Sequence, residues 1–285
     1  MNAVNRMTTK FFDVVVAPFE LLGQEAALIL VSGLFGILSL IVFKHISWQG
    51  GIKGTKDKIK GHMIAIRLYQ DDLLIVAKSV FKVIWRNFQY LGLNFGPILP
   101  LLVPFMLIAA QLVARYGFDP IPVVDPSADR LPGQGTMLVI EMAKGREAAV
   151  QDMHVRLPAG LKAVSPLVRN AYDGVAHLEV IAVQPGRGEL ELVFADGTRA
   201  YKKVVTGDEP TRMMQPERVS GFWAAWLWPA EDTFPSDSPL ARVSFEYPNR
   251  DLYLLPAGPT GIILVFFVSS ILFGLLVLKP LRIQI

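Results

Sequence analysis

Three long runs of residues without a charged side chain constrain this sequence more than any other feature. They cover residues 26–43, 91–114 and 258–278. A helix needs roughly 20 apolar residues to cross the hydrocarbon core of a bilayer, and three such runs in one short chain are too many for the buried helices of a soluble core. The first run lies too far along the chain for a signal peptide and lacks a cleavage site. The sequence therefore predicts an integral membrane protein with three transmembrane helices.

The residues between the second and third runs have a different composition. Only 19% of the whole chain is charged and its mean hydropathy is +0.40, but residues 119–251 have the composition of an ordinary soluble domain. Short apolar runs alternate there with turn signals such as Pro185-Gly186. This spacing predicts an antiparallel, β-sandwich-like domain, and with it an α+β membrane protein as the fold class. The expected strands are residues 137–142, 153–157, 175–183, 189–194, 200–205 and 242–247.

The distribution of lysine and arginine predicts the orientation of the chain. Nine Lys and Arg lie between the first two runs against three Asp, whereas residues 116–257 hold 14 Lys and Arg against 19 Asp and Glu. Cytoplasmic loops carry the excess of Lys and Arg. We therefore expect a bacterial-type inner (cytoplasmic) membrane, with the N-terminus outside, residues 116–257 in the periplasm and the C-terminus in the cytoplasm. The predicted segments are an outer interfacial amphipathic helix (1–25), the first transmembrane helix (26–44), a basic cytoplasmic helical hairpin (45–90), the second transmembrane helix (91–115), an extracytoplasmic β-rich domain (116–257), the third transmembrane helix (258–279) and a cytoplasmic tail (280–285).

The cytoplasmic segment has the pattern of two helices. We expect the first to begin at Thr55, after a cluster of glycines, and the second to cover residues 73–89 after Asp71 and Asp72 interrupt the first. Two roles stay open for this hairpin. Its cations can bind anionic lipid headgroups, or its surface can dock a partner or a polypeptide that enters the membrane. The candidate lipid- or partner-binding cations are Lys53, Lys56, Lys58, Lys60 and Arg67.

Two further segments carry apolar side chains that are expected at the outer surface. Residues 11–22 place Phe11, Val15, Phe19 and Leu22 at helical spacing, which is typical of a helix that lies in the membrane interface. Farther along the chain, three of the five tryptophans fall within six residues. They either fill the β domain or rest on the membrane interface, or they form an exposed patch for a partner protein. These aromatic residues are Trp223, Trp226 and Trp228.

The second apolar run begins with the segment Asn94 to Phe105 (NFGPILPLLVPF), whose three prolines predict an irregular start to the helix. An interfacial helix, a span, a basic hairpin and this proline-rich run follow one another over about residues 11–115. This order resembles the core of the YidC/Oxa/Get/EMC membrane insertase superfamily. In that family the hairpin and a polar groove between the spans receive hydrophobic segments and pass them sideways into lipid. The groove arginine of YidC-type members is absent here, because residues 26–43 hold no cation. The candidate groove residues are Ser32, Ser39, Asn94 and Gln111.

The sequence gives little support for catalysis or for a cofactor. It contains no cysteine, its four histidines lack the spacing of metal ligands, and it has no nucleophile elbow, P-loop or dinucleotide-binding motif. We therefore expect no enzyme, no cofactor, no metal and no nucleic-acid partner. The expected partners are the lipid bilayer and other membrane proteins, either in a complex or as nascent chains, and the oligomeric state is left open.

Two functions agree with these features. The first is a non-enzymatic membrane scaffold or accessory subunit of a membrane protein complex, which binds partners through its outer β domain and its spans. The alternative is a divergent YidC/Oxa-like insertase or membrane-protein chaperone, which uses the cytoplasmic hairpin and a groove between the first two spans. A third possible function is a pore formed by an oligomer, but the spans contain no ionisable residue that would line such a pore.

Overall fold

The computed structural model describes residues 2–125 and 133–281, and the chain divides into two compact units. The first unit consists of Met1–Leu28 and Met106–Val265, and the second of Ile29–Phe105 and Phe266–Ile285. The helices are α1 (Asn2–Glu20), α2 (Gln24–Ile46), α3 (Gln49–Leu68), α4 (Leu73–Phe95), α5 (Ile98–Tyr116), α6 (Ala224–Leu227) and α7 (Gly258–Leu281), with a 3-10 turn at Glu147–Val150. The strands are β1 (Thr136–Met142), β2 (His154–Arg156), β3 (Leu161–Ala163), β4 (Val168–Asn170), β5 (Val175–Ala182), β6 (Gly186–Val193), β7 (Arg199–Thr206), β8 (Glu217–Val219) and β9 (Leu240–Phe245).

Three helical stretches in the described part of the chain are long and apolar enough to cross a membrane, judged by length and composition. They are Gln24–Ile46, Leu73–Tyr116 and Gly258–Leu281. The predicted spans 26–44 and 258–279 fall within α2 and α7. Together with the antiparallel sheets, these helices confirm an α+β architecture with three long apolar helices. Of the predicted tail, residues 282–285 lie outside the described residues.

The second predicted span is divided between two helices. Helix α4 extends to Phe95, beyond its predicted end, and α5 begins at Ile98 after a break at Gly96 and Pro97. Proline lacks the backbone donor that would continue the hydrogen-bond ladder, so a break at this point is expected. Pro104 lies inside α5. The predicted irregularity is therefore present, and it lies at the junction of α4 and α5.

Helices α3 and α4 form an antiparallel hairpin within the second unit. A short turn joins them, and they pack along their length. Asp72 caps α4, since its Oδ1 accepts the backbone N–H groups of Leu74 at 2.9 Å and Ile75 at 3.1 Å. This cap satisfies two of the donors that a helix start leaves open. The helix boundary predicted from Asp72 is confirmed.

The predicted start of the first helix of the hairpin at Thr55 was wrong. Helix α3 begins at Gln49 and includes the glycines that were read as a break. Glycine costs about 1 kcal/mol relative to alanine inside a helix, which is why the cluster predicts an interruption. In the folded chain Gly51 lies against the indole ring of Trp48, and a Cβ at this position would overlap the ring. The packing of Trp48 on Gly51 thus offsets the low helix propensity of the glycines.

Helices α2 and α7 approach each other closely in the second unit. Gly33 lies against the ring of Phe273 and Gly36 against the backbone of Ser270, so that a Cβ at either glycine would overlap its neighbour. The Ser270 hydroxyl donates to the backbone carbonyl of Ser32 at 3.0 Å. Small residues and serine hydroxyls are common where helices pack in apolar surroundings. This contact fixes two walls of the groove described below.

The first unit contains two antiparallel sheets that share one buried core. The six-stranded sheet has the order β3-β5-β1-β9-β8, with β4 also paired to β5, and the three-stranded sheet has the order β2-β6-β7. Leu138, Val180 and Val243 from the larger sheet and Leu190 and Val204 from the smaller one belong to the core cluster. The two sheets agree with the predicted sandwich-like domain. All six predicted strands are present, whereas the short strands β3, β4 and β8 were not predicted.

Helix α1 covers Asn2–Glu20, within the predicted segment 1–25, and Leu22 follows its end. The stripe predicted within residues 11–22 does not mark the buried face, because the buried apolar side chains are those of Phe12 and Val16.

Candidate functional site

A groove of about 440 Å³ lies among the helices of the second unit. Helices α2, α5 and α7 form its walls, and Asn94 near the end of α4 contributes to one end. Its polar side chains are those of Ser39, Asn94 and Ser270, and the rest of the lining is aliphatic, aromatic or glycine. The apolar lining residues are Phe35, Gly36, Leu40, Phe43, Ile98, Leu101, Leu102, Phe105, Phe267, Ile271, Gly274, Leu275 and Leu278.

Phenylalanine rings close one end of this groove. The ring of Phe105 lies 4.5 Å from that of Phe266 and 4.6 Å from that of Phe267, measured between centroids, and Phe35 lies 5.4 Å from Phe266. These are favourable distances for aromatic pairs. From this cluster the lining runs toward the C-terminal ends of α2 and α7 and the start of α5. The groove therefore ends on the side of the unit where α2 continues into the α3–α4 hairpin.

Asn94 holds a buried side-chain acceptor in the groove that lacks a partner among the described residues. Its Nδ2 donates to the backbone carbonyl of Tyr90 at 2.8 Å, while its Oδ1 is buried without a hydrogen bond. The Ser270 hydroxyl instead donates to carbonyls of its own helix and of α2. A buried acceptor without a partner costs about 1–3 kcal/mol. A donor on a bound molecule, or a water, is needed to satisfy Asn94.

Helix α4 exposes a row of apolar side chains along one face. Leu74, Phe81, Phe88 and Phe95 are spaced by seven residues and all are exposed. A spacing of seven keeps side chains on one side of a helix. None of the four lines the groove, whereas Asn94, which precedes Phe95 and lies on a different face of α4, does. The exposed row and the groove are thus two separate apolar surfaces of the second unit.

Two of the four predicted groove residues meet in this site. Ser39 and Asn94 both line the groove. Ser32 is fully buried on α2, where its carbonyl accepts the Ser270 hydroxyl. Gln111 belongs to the first unit, and its Nε2 donates to the Thr9 hydroxyl of α1 at 2.9 Å. Ser270 was not predicted, although a serine pair interrupts the third apolar run and offered a signal for it.

The predicted basic residues of α3 do not share one face. Helical spacing places Lys53, Lys56, Lys60 and Arg67 on one side of the helix and Lys58 on the opposite side. Four cations on a side separate from the α4 contact form a basic stripe. A stripe of four cations attracts negatively charged headgroups more strongly than one cation does, because the attraction of each cation adds to that of its neighbours.

The three predicted tryptophans do not share one environment. Trp228 packs against the core of the β domain, with its ring 6.4 Å from that of Phe118. Trp223 is 75% exposed and stacks with Phe222 at 5.3 Å and Trp226 at 5.7 Å. One tryptophan therefore fills the domain, and the exposed aromatic cluster is formed around Trp223.

The first unit contains a second cavity, which has a mixed polar and apolar lining and lies along the edge strand β7. It measures about 520 Å³ and is lined by Arg187, Lys203, Glu231 and Tyr247 among others. Lys202 is fully buried behind this wall. Burial lowers its pKa, although its Nζ donates a hydrogen bond to the Glu231 carboxylate at 2.5 Å. Its Nζ also donates to the carbonyls of Lys203 and Gln215. All three donors of the ammonium are used, so this lysine holds strands and loops together and leaves no free donor for a ligand.

No group of three or more His, Cys, Asp or Glu side chains in the described residues is placed to hold a metal ion. No protein-family model matches the chain, and neither a curated protein nor a solved structure matches it. Function must therefore be argued from the groove, the hairpin and the surfaces of the first unit.

Proposed function

We propose that the protein binds an apolar helical segment of another membrane protein in the groove of the second unit, as a divergent insertase or membrane-protein chaperone. In this proposal the three long apolar helices span a bacterial-type inner membrane. The N-terminus and residues 116–257 are periplasmic, and the α3–α4 hairpin is cytoplasmic. The observation that carries the proposal is the groove itself, with its apolar walls and with the buried Oδ1 of Asn94, which lacks a partner among the described residues.

The size of the groove favours a helix face over a whole helix or a small polar molecule. A helix with its side chains is about 10–12 Å across, and a membrane-spanning segment is about 30 Å long. A groove of about 440 Å³ takes several side chains from one face of such a segment. The opposite face would stay in contact with lipid. Such a site holds a segment without enclosing it, which suits its release sideways into the bilayer.

The chemistry of the lining defines the class of segment. Among the described residues, no charged side chain lines the groove, so a charged residue of the occupant would find no partner in this lining. Asn94 Oδ1 offers one acceptor, which a serine, threonine or amide of the occupant can satisfy. The favoured occupant is therefore an uncharged, largely apolar segment with an occasional hydrogen-bond donor.

Site-specific photocrosslinking tests this proposal. A photoreactive residue at Leu102, which lines the groove, should crosslink to a nascent membrane protein, whereas one at Leu276, which is exposed on α7 outside the lining, should not. The crosslink at Leu102 should disappear when the apolar segment of the nascent chain is made polar. Equal crosslinking from both positions, or none from either, would contradict the proposal.

A groove-filling substitution provides a second test. Gly274 lines the groove, and a Cβ there meets no atom closer than 3.8 Å, so Gly274→Leu fills the groove without forcing the helices apart. We expect this variant to lose the crosslink at Leu102. Gly92→Leu is the matched control, since Gly92 lies on α4 with open space around its Cβ position. If both variants crosslink as the parent chain does, the groove is not where the segment binds.

The second candidate function is a scaffold or accessory subunit of a membrane protein complex. It is favoured by the β domain, which is joined to long apolar helices at Tyr116 and Gly258 and carries the exposed cluster around Trp223. Mass measurement after gentle extraction in native lipid separates the two functions. A stable complex with defined partners supports the scaffold, and a lone monomer that still crosslinks nascent chains rules it out.

A further inference from the structure

The packed face of α1 is mixed in chemistry. Phe12 and Val16 are buried on it, and the polar side chains Asn5, Thr9 and Asp13, which recur every four residues, lie on the same side of the helix. Asn5 Nδ2 donates to the backbone carbonyl of Ala225 at 2.7 Å, and the Thr9 hydroxyl accepts from Gln111. The packed face of α1 is thus held by apolar contacts together with hydrogen bonds and charge.

Asp13 fixes the rotation of α1 about its axis. Its carboxylate accepts from the guanidinium of Arg115 at 2.5 Å and pairs with that of Arg212 at 3.2 Å. The Arg115 side chain is almost completely buried. A rotation of α1 would leave this buried cation without its partner, which is strongly unfavourable.

The side of α1 opposite to these contacts is apolar and open. Met7, Phe11 and Val14 are 73%, 65% and 76% exposed, and their spacing of four and three residues places them on one face. A folded domain in water does not gain from exposing three large apolar side chains on one helix face. The arrangement is favourable only if an apolar medium or partner covers the outer face.

The aromatic cluster of the β domain lies beside α1. Phe222, Trp223 and Leu227 are exposed around α6, and α6 contacts the N-terminal half of α1. Tryptophan and phenylalanine next to an amphipathic helix are typical of the boundary between headgroups and acyl chains. Helix α1 is followed after only three residues by α2, the first of the long apolar helices. One end of the apolar face is thus tied to a helix that we assign to the bilayer.

We propose that the outer face of α1 and the Phe222–Leu227 segment insert together into the periplasmic leaflet of the membrane. The occupant of this surface is the lipid boundary, and no second protein is needed to cover it. The first unit, which is joined to the long apolar helices α2, α5 and α7, then gains a further attachment to the bilayer through this lipid-inserting surface. The proposal rests on the membrane placement proposed above, but it does not depend on the groove in the second unit.

Spin labelling of single-cysteine variants of the full chain in phospholipid nanodiscs tests this surface. The chain contains no cysteine, so each variant carries one label only. The measurement is collision of the nitroxide with oxygen, which concentrates in lipid, and with a water-soluble nickel chelate. Labels go at Met7→Cys, Phe11→Cys, Val14→Cys and Trp223→Cys, with Tyr172→Cys as control because Tyr172 is 92% exposed in a turn of the β domain.

The expected result is a ratio of oxygen to nickel collisions several-fold higher at the four test positions than at the control. A ratio equal to that at Tyr172 means that the surface faces water and overturns the proposal. Protection from both reagents at the test positions means that protein covers the surface, which overturns it as well. All five positions are exposed, so substitution there leaves the core intact. A thermal unfolding midpoint equal to that of the parent chain confirms this for each variant.

Discussion

Replacement of Lys202 by methionine should destabilise the β domain strongly. The ammonium of Lys202 is fully buried and binds the Glu231 carboxylate at 2.5 Å and the carbonyl of Gln215 at 2.8 Å. Methionine matches the shape of the lysine stem but leaves Glu231 charged and unpaired. Removal of one partner from a buried ion pair costs about 3–5 kcal/mol, whereas replacement of both partners by apolar residues is often neutral.

The surroundings of Glu231 place the expected loss at the lower end of this range. Glu231 lines the cavity of about 520 Å³, where water can reach its carboxylate once Lys202 is gone. We expect Lys202→Met to cost about 3 kcal/mol, which corresponds to roughly a hundredfold increase in the opening equilibrium of the domain. The double variant Lys202→Met with Glu231→Leu should lose much less free energy of unfolding than the sum of the losses in the two single variants.

Glu231→Leu should make the free energy of unfolding depend more strongly on pH than it does in the parent chain. Burial already lowers the pKa of Lys202, and loss of the carboxylate removes the attraction that opposes this shift. The folded state then binds fewer protons than the unfolded state at pH values below the ordinary lysine pKa of 10.5. The free energy of unfolding should therefore rise with pH toward this value.

Amide hydrogen exchange of the full chain in nanodiscs, read by mass spectrometry over β6 and β7, measures these changes. Lys203→Met is the matched control, because Lys203 is the next residue on β7 and its side chain is exposed. If Lys202→Met exchanges no faster than Lys203→Met, the buried pair does not hold the sheet. If the double variant loses as much as the sum of the single variants, the two side chains do not act as a pair.

Three further predictions concern other parts of the chain. Asp13→Ala should cost about 3 kcal/mol and free α1, because a buried guanidinium loses its carboxylate; faster amide exchange over α1 than over β5 checks this. Gly36→Val should lower the thermal unfolding midpoint of the detergent-solubilised chain, because its side chain would overlap the backbone of Ser270, whereas Gly61→Val, with open space around it, should not. The backbone N–H groups of Gly133 and Gly135 lower the pKa of Glu179. The contribution of Glu179 to the free energy of unfolding is therefore fully present above the ordinary carboxyl pKa and is lost as the pH falls through the lowered value. Glu179→Gln should abolish the corresponding loss of amide protection in acid at the start of β1.

The long helices and the main strands were predictable because their signals are local. An uncharged run of about 20 residues and an alternation of apolar residues between turns each depend on one segment only. The start of α3 was not predictable in this way. The glycines at its N-terminus argue against a helix until the indole of Trp48 is known to pack on Gly51. The short strands β3, β4 and β8 also depend on pairing with distant residues rather than on their own pattern.

The candidate groove was predictable in part. Ser39 and Asn94 stood out as polar residues in apolar runs, and both line the groove. Gln111 stood out for the same reason but binds α1 instead. A polar residue in an apolar run indicates that some partner is needed, but the run does not say which neighbour supplies it. Ser270 was not predicted, because the resemblance concerns only the first two spans. That α7 forms a wall of the groove is known only from the fold.

Helix α5 shows how one apolar run serves two surfaces of different chemistry. Its N-terminal residues, such as Leu101 and Phe105, line the groove with carbon atoms. Its C-terminal residues Gln111 and Arg115 are buried and hold α1 by hydrogen bonds and charge. Substitutions at the two ends should therefore separate the two proposals. A change at Leu101 should weaken binding of an apolar segment and leave α1 in place, and a change at Arg115 should release α1 and leave the groove lining unaltered. If a substitution at either end produced both effects, the surface of α1 and the groove would act as one site rather than as two.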